Sequence, residues 1–202
     1  MTLRVGVIGA GRMGKLHSRV LSEMPDVELA CVADVKADVA AEVAAAHGAR
    51  AVAEPSEAAG LVDAAIIAVP TQEHLRAAEP FVAAGKPVLI EKPIAASSED
   101  AEALLDLADR TAATVQVGHT ERFNPAVEAI RRFEIVPKFI EAHRISPYTF
   151  RSADVGVVLD MMIHDIDLVL SMAAAEPVRV DAVGVNVIGA PEDIANARLT
   201  FA

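Results

Sequence analysis

The sequence predicts a doubly wound α/β fold, a parallel sheet covered by helices on both faces, followed by a smaller, partial α+β region. Three observations carry this. Apolar runs alternate with helical patterns across roughly the first 120 of the 202 residues. The runs are nearly continuous in apolar character, as in strands buried on both faces. The opening VGVIGAGRMG (residues 5–14) passes from an apolar strand through Gly9-x-Gly11-x-x-Gly14 directly into a helix, the context in which such glycines bind a dinucleotide.

Taken in order, strands are expected over residues 4–8, 27–33, 49–52, 64–69, 88–90 and 114–117, where β-branched and small apolar residues run together. Helices are expected over 13–22, 36–47, 73–84 and 98–111, with a short helical turn at 55–59. The last long helix has a start signal, Ser97 or Ser98 ahead of Glu99 and Asp100. Gly48 and Gly85-Lys86-Pro87 fall between elements as turn residues. After Gly118 the rhythm changes. The polar GHTERFNP marks a boundary, which divides the chain into a dinucleotide-binding domain over 1–120 and a partial substrate domain over 121–202. The second part reads as a helix at 126–133, a strand at 138–145, an irregular stretch at 146–154, a long helix at 156–174, and strands at 178–187 and 195–201. The chain stops on a strand with no closing element, so it is expected to be a piece of a longer protein.

The glycine turn has a separate task for each residue. Gly9 permits the tight turn, Gly11 exposes bare backbone to a diphosphate, and Gly14 lets the helix approach the sheet. Ala10, Arg12 and Met13 complete the phosphate-facing turn, whose free N–H groups favour anions. Asp34 ends the second apolar run, where a carboxylate accepts the ribose hydroxyls of NAD and repels the 2′-phosphate of NADP. Arg12 and Lys36 soften that preference for NAD over NADP. Ligands of such sheets sit beyond the carboxyl ends of the strands. Val69, Pro70, Thr71 and His74 are therefore expected against the cofactor, with Thr71 also suited to cap the following helix. At the end of the fifth strand, Glu91-Lys92-Pro93 puts two opposite charges where burial is costly unless they are used or paired. A lysine there can hydrogen-bond a substrate hydroxyl and share its proton, while an ordinary strand-end ion pair is the alternative.

The helix GVVLDMMIHDIDLVL carries Asp160, His164 and Asp167 at i, i+4 and i+7, one stripe of a largely apolar helix. Such groups need partners or a polar cavity. A histidine with a carboxylate one turn away suits proton abstraction, and a self-satisfied His–Asp pair is the competing reading. A metal site there lacks a supporting Cys or second His, so none is expected. Asp165 is expected to face solvent or cap. His119, Glu121, Arg122 and Asn124 are expected to line a cleft at the domain boundary. Arg144, Tyr148 and Arg151, near His143, can bind an anionic substrate group or form surface ion pairs.

Composition bounds the rest. Hydrophobic residues make up 53% of the chain, enough for a core and too many for disorder. A net charge of −11 argues against nucleic acid and anionic membrane surfaces as partners. The single Cys31 lies in an expected buried strand and excludes a disulfide framework, which suits a reducing cytoplasm. No apolar run is long enough to span a bilayer, and Arg12 and Lys15 interrupt any signal-like opening.

GAGRMGKLHS, AVPTQEH, VLIEKPIA, GHTERFNP and LDMMIHDIDLVL, in that order and spacing, resemble the Gfo/Idh/MocA oxidoreductase family from residue 2 to about residue 172. The resemblance implies a Rossmann domain plus an open-sheet α/β domain, NAD(P), and sugar or cyclitol substrates. It implies that Lys92 is the catalytic lysine of the EKP motif, that Asp160 binds substrate and that His164 transfers the proton. GHxERFNPA with DxMIHDIDLVL further resembles the group that oxidises the 3-hydroxyl of UDP-N-acetylglucosamine. Two features depart from the family: Met162 stands where many members have glycine, and the second domain is short. The resemblance therefore implies an NAD-dependent sugar or nucleotide-sugar dehydrogenase, a homo-oligomer at full length. A sensor of the same fold that binds NAD and sugar without turnover is the alternative.

Overall fold

Six strands form one parallel sheet in the order β3-β2-β1-β4-β5-β6 in the computed structural model, which describes residues 2–133, 135–147, 155–173 and 175–202. The strands are β1 (Leu3–Ile8), β2 (Val27–Ala33), β3 (Arg50–Val52), β4 (Ala64–Ile67), β5 (Val88–Ile90) and β6 (Val115–Val117). Between them run α1 (Arg12–Glu23), α2 (Ala37–His47), α3 (Pro55–Ala59), α4 (His74–Ala83) and α5 (Ser98–Thr111). This is the Rossmann arrangement, in which strand order reverses between β1 and β4.

Successive side chains of a strand point to opposite faces, and the apolar residues divide accordingly. Val5, Val7, Val32 and Ile66 pack in one cluster with Leu21 of α1 and Val43 of α2. Ile8, Ile67 and Ile90 pack in the other with Ala78 and Phe81 of α4 and Leu104 of α5. Phe81, Ile8, Ile67, Ile90 and Leu104 are among the largest fully buried side chains. Two-sided burial explains why these strands lack polar alternation. Cys31 is buried in the core, and burial pushes its thiol up to about 11. Ser97 caps α5 as expected, its side chain accepting the Asp100 N–H at 3.1 Å.

The chain divides into two compact units, Met1–Gly118 and His119–Ala202. The second contains α6 (Pro125–Arg131), a π-helical turn (Val158–Met162), α7 (Ile163–Ala173), and the antiparallel pair β7 (Pro177–Val185) and β8 (Ile194–Phe201). Two expectations fail here. Residues 138–145 form no strand; they are largely exposed and pair with no neighbour among the described residues. An extended segment becomes a strand only where another edge satisfies its N–H and C=O groups. The long helix is also not uniformly α, because it opens with the π turn, so Asp160 precedes a change of helical pitch. Tyr148 and Arg151 lie outside the described residues.

No helix among the described residues is long and apolar enough to cross a membrane.

Candidate active site

Parallel register brings the carboxyl ends of five strands to one edge of the sheet. Ile8 pairs with Ala33 and with Ile67, Ile67 with Ile90, and Ile90 with Val117. The pairing continues one step beyond the strands. Gly9 N–H donates to Ala33 O at 2.7 Å, Ala68 N–H to Ile8 O at 2.7 Å, Glu91 N–H to Ile67 O at 2.9 Å and Gly118 N–H to Ile90 O at 2.7 Å. Asp34, the glycine turn, Val69, Glu91-Lys92 and Gly118 therefore follow one another along that edge.

The glycine turn is built as its residue types demand. Gly9 has φ +97°, and a Cβ there would stand 2.5 Å from Ala68 O. A Cβ on Gly14 would overlap the Gly9 carbonyl. Gly11 is different: a Cβ there would meet nothing within 4 Å, so the turn presents bare backbone to open space. Gly11 also starts α1 with no side-chain cap and no acid in the first turn, which leaves early N–H groups for an anion. Asp34 accepts from Ala10 N–H at 2.7 Å through one oxygen and from Lys36 N–H at 2.9 Å through the other. Each carboxylate oxygen retains a lone pair for a ribose hydroxyl. Arg12 and Met13 lie exposed on the first turn of α1. These residues fit a dinucleotide, with diphosphate over Gly11 and a ribose at Asp34.

Beyond β4, Pro70 is exposed and Thr71 half-buried. Thr71 opens a 3-10 turn (Thr71–Glu73) without capping it through its side chain; the turn closes by Glu73 N–H donating to Pro70 O at 2.8 Å. His74, expected against the cofactor, is buried beside the backbone of Val69 and Pro93. It is 1% exposed, with Nδ1 2.9 Å from Pro93 O and Nε2 3.0 Å from Val69 O. Both nitrogens face backbone carbonyl oxygens, of which a neutral ring can donate to one and an imidazolium to both.

Beyond β5, Glu91 and Lys92 are half-buried and Pro93 is buried, with a cis Lys92–Pro93 peptide. A carboxylate oxygen of Glu91 lies 2.7 Å from His17 Nε2 of α1. His17 lies within the helix α1 (Arg12–Glu23). Its contact with Glu91 spans 74 residues and has no local signature.

In the second unit, Asp160 and His164 are half-buried, on the π turn and the first turn of α7. Asp167 leaves the expected stripe for a structural role. It is buried and takes a two-point ion pair from Arg122 at 2.7 and 2.6 Å, with His119 Nε2 at 3.8 Å. Asp165 is not a solvent residue. It holds Arg144 at 2.8–3.1 Å, with Glu121 3.7 Å away, so the Arg144 guanidinium, a candidate for substrate, is already paired. Asn124 likewise has local work: its side chain accepts Ala126 N–H at 3.0 Å to cap α6 and donates to Glu121 at 3.1 Å. An open hollow of about 1290 Å³ in this unit is lined by Arg144, Asp160 and Asp165, with His164 outside its lining. No group of three or more His, Cys, Asp or Glu side chains fit to hold a metal ion occurs among the described residues.

Residues 3–119 match the model of the Gfo/Idh/MocA group, an oxidoreductase family with an NAD-binding Rossmann fold. UDP-N-acetylglucosamine 3-dehydrogenase of Acidithiobacillus ferrooxidans is 39% identical over 200 residues, 98% of this chain and 63% of that protein. A structure of that enzyme superposes with a TM-score of 0.92, covering 100% of this chain and 66% of the other. Inositol 2-dehydrogenase of Rhizobium meliloti is 34% identical over 192 residues, 90% of this chain and 58% of that protein. GenD2 from gentamicin A biosynthesis, solved in complex with NAD, gives a TM-score of 0.83 at 28% identity, covering 100% of this chain and 63% of the other. The chain thus spans about three fifths of the length of the curated relatives.

Proposed function

That this chain belongs to the Gfo/Idh/MocA oxidoreductases is the premise from which we propose that the whole protein is an NAD-dependent dehydrogenase of a sugar or nucleotide sugar. UDP-N-acetylglucosamine, oxidised at its 3-hydroxyl, is the first substrate to try, because the Acidithiobacillus ferrooxidans relative named for that activity matches nearly all of the chain. The observation that carries the reading is the shared edge on which the open Gly11 turn, the Asp34 carboxylate and Lys92 follow one another.

Asp34 favours NAD over NADP, since a 2′-phosphate would meet a carboxylate already fixed by two backbone N–H groups. The glycine turn with Arg12 and Met13 holds the diphosphate, and Val69 to Thr71 flank the nicotinamide side. Bound NAD supplies the acceptor for the two electrons leaving the carbinol carbon. His164 takes the hydroxyl proton as the carbon becomes a ketone, Lys92 hydrogen-bonds the developing oxyanion, and Asp160 orients substrate and imidazole.

The test is an NADH-absorbance screen of UDP-sugars, hexoses and inositols with the full-length protein, repeated with Lys92→Ala and His164→Ala. Turnover with one substrate, lost in both variants, is the expected result. Unchanged turnover in the variants overturns the assignment, and tight NAD binding without turnover of any sugar points to a sensor.

A further inference from the structure

Lys92 is the reacting residue of the first unit on the reading above, and each of its chain neighbours is held by a histidine from another element. On one side, the Glu91 carboxylate lies 2.7 Å from Nε2 of His17, on the helix that follows the glycine turn. Both side chains are mostly buried, at 18% and 12% exposure. On the other side, the Pro93 carbonyl lies 2.9 Å from Nδ1 of the fully buried His74, whose Nε2 reaches Val69 O at 3.0 Å. Gly118 closes the remaining side, where a Cβ would stand 3.4 Å from a Glu91 carboxylate oxygen.

We propose that His17 and His74 form a clamp that positions Lys92. His17 fixes the residue before it through a side chain, and His74 fixes the residue after it through backbone. The two anchors lie on the elements that follow β1 and β4, which also supply the glycine turn and the Val69–Thr71 segment. The clamp therefore ties the height of the Lys92 ammonium to the walls of the dinucleotide site. Neither histidine is a catalytic residue, because each acts through a neighbour of Lys92. Burying a polar ring is costly unless it finds a hydrogen-bond partner, and here each ring has one in a residue beside the lysine. Catalytic groups depend on such support, since a displacement near 1 Å can cost on the order of 100-fold in rate.

This rests on the proposed role of Lys92, so the experiment separates the two. In the full-length protein, lysines are reductively dimethylated with carbon-13 and the Lys92 resonance is assigned by Lys92→Arg. Its position and titration midpoint are then compared in His17→Ala, His17→Gln, His74→Ala and His74→Gln, with thermal melts to confirm folding. The expected result is that both alanine variants move the Lys92 signal and His17→Gln, which keeps a donor toward Glu91, restores it. With a sugar that turns over, kcat falls ~10–100-fold in the alanine variants, while the Kd for NAD changes by less than about threefold. His74→Gln serves where His74→Ala does not fold. A Lys92 signal unmoved in the folded variants overturns the clamp, whatever the turnover. So does a moved signal with unchanged kcat. A moved signal in a protein that oxidises no sugar supports the clamp and refutes the dehydrogenase reading alone.

Discussion

The Asp34 carboxylate accepts the Ala10 N–H at 2.7 Å, so the acid that follows the second strand also fixes the glycine turn that follows the first. On the function proposed above, one side chain thereby sets two parts of the dinucleotide site, the ribose acceptor and the shape of the diphosphate turn. Asp34→Ala is expected to weaken NAD about 10–100-fold, because hydrogen bonds to a charged group contribute roughly 1.5–3 kcal/mol. NADP loses less, since the same change removes a repulsion. Titrating both dinucleotides against the protein checks this, and an unchanged NAD-to-NADP ratio contradicts it.

Gly11 and Gly14 separate binding from folding. A Cβ on Gly11 enters open space, so Gly11→Ala leaves stability within about 0.5 kcal/mol, as for a surface substitution. It nevertheless occupies the diphosphate's place and weakens NAD by roughly tenfold or more. A Cβ on Gly14 overlaps the Gly9 carbonyl, so Gly14→Ala destabilises by at least ~1–3 kcal/mol, the usual range for overpacking. Thermal melts with and without NAD distinguish the two variants. A Gly11→Ala protein that melts early would show that the turn has no open face.

The sheet was legible because its signals are local. The strands β2 and β5 and the helix α5 have the expected bounds, and the two-faced burial follows from runs such as VELACVA. The glycine turn and Asp34 were legible for the same reason, as one motif with fixed spacing. The contacts that organise the rest join distant residues. His17 to Glu91 and Arg122 to Asp167 are separated by 74 and 45 positions, and a charge on a helix does not reveal its partner. The stripe of Asp160, His164 and Asp167 assumed one α-helical pitch, which the π turn breaks. The strand expected at 138–145 had the right residues and no neighbouring edge among the described residues.

Cys31 is buried and its thiol is raised to about 11, chiefly by desolvation. The thiolate is the reactive form, so native protein at mildly alkaline pH should resist iodoacetamide and react only in denaturant. Mass spectrometry of the Cys31 peptide reads this directly. Rapid labelling of the folded protein would contradict the buried position.

Arg122 and Asp167 form a two-point ion pair in which the carboxylate is buried and the guanidinium is nearly half exposed. Arg122→Ala leaves a buried carboxylate without that partner, which costs on the order of 1–3 kcal/mol. Arg122→Ala/Asp167→Ala should cost less than the sum of the single changes, because removing both avoids the stranded charge. Denaturant unfolding of the four proteins measures the coupling. Strict additivity would show that the pair contributes nothing.

Acid stability offers a test at the foot of β1. Arg4 donates to Asp63 at 2.7 and 3.2 Å through its side chain and at 3.1 Å through its backbone. The side-chain hydrogen bond from Arg4 is the first cause that lowers the Asp63 carboxyl from 3.8 to about 2. A carboxyl depressed in the folded state stabilises it above the unfolded value and loses that contribution as pH falls through the folded one. The contribution of Asp63 is therefore complete above about 3.8 and fades toward about 2. It is modest because both side chains are well exposed and salt screens such pairs. Urea midpoints of wild type and Asp63→Asn should differ near neutral pH, approach each other across that window, and approach sooner in high salt. Taking the difference cancels the carboxylates the two proteins share. A gap that stays constant down to the lowest pH would mean that Asp63 stabilises β1 through its shape and neutral hydrogen bonds, with its charge irrelevant.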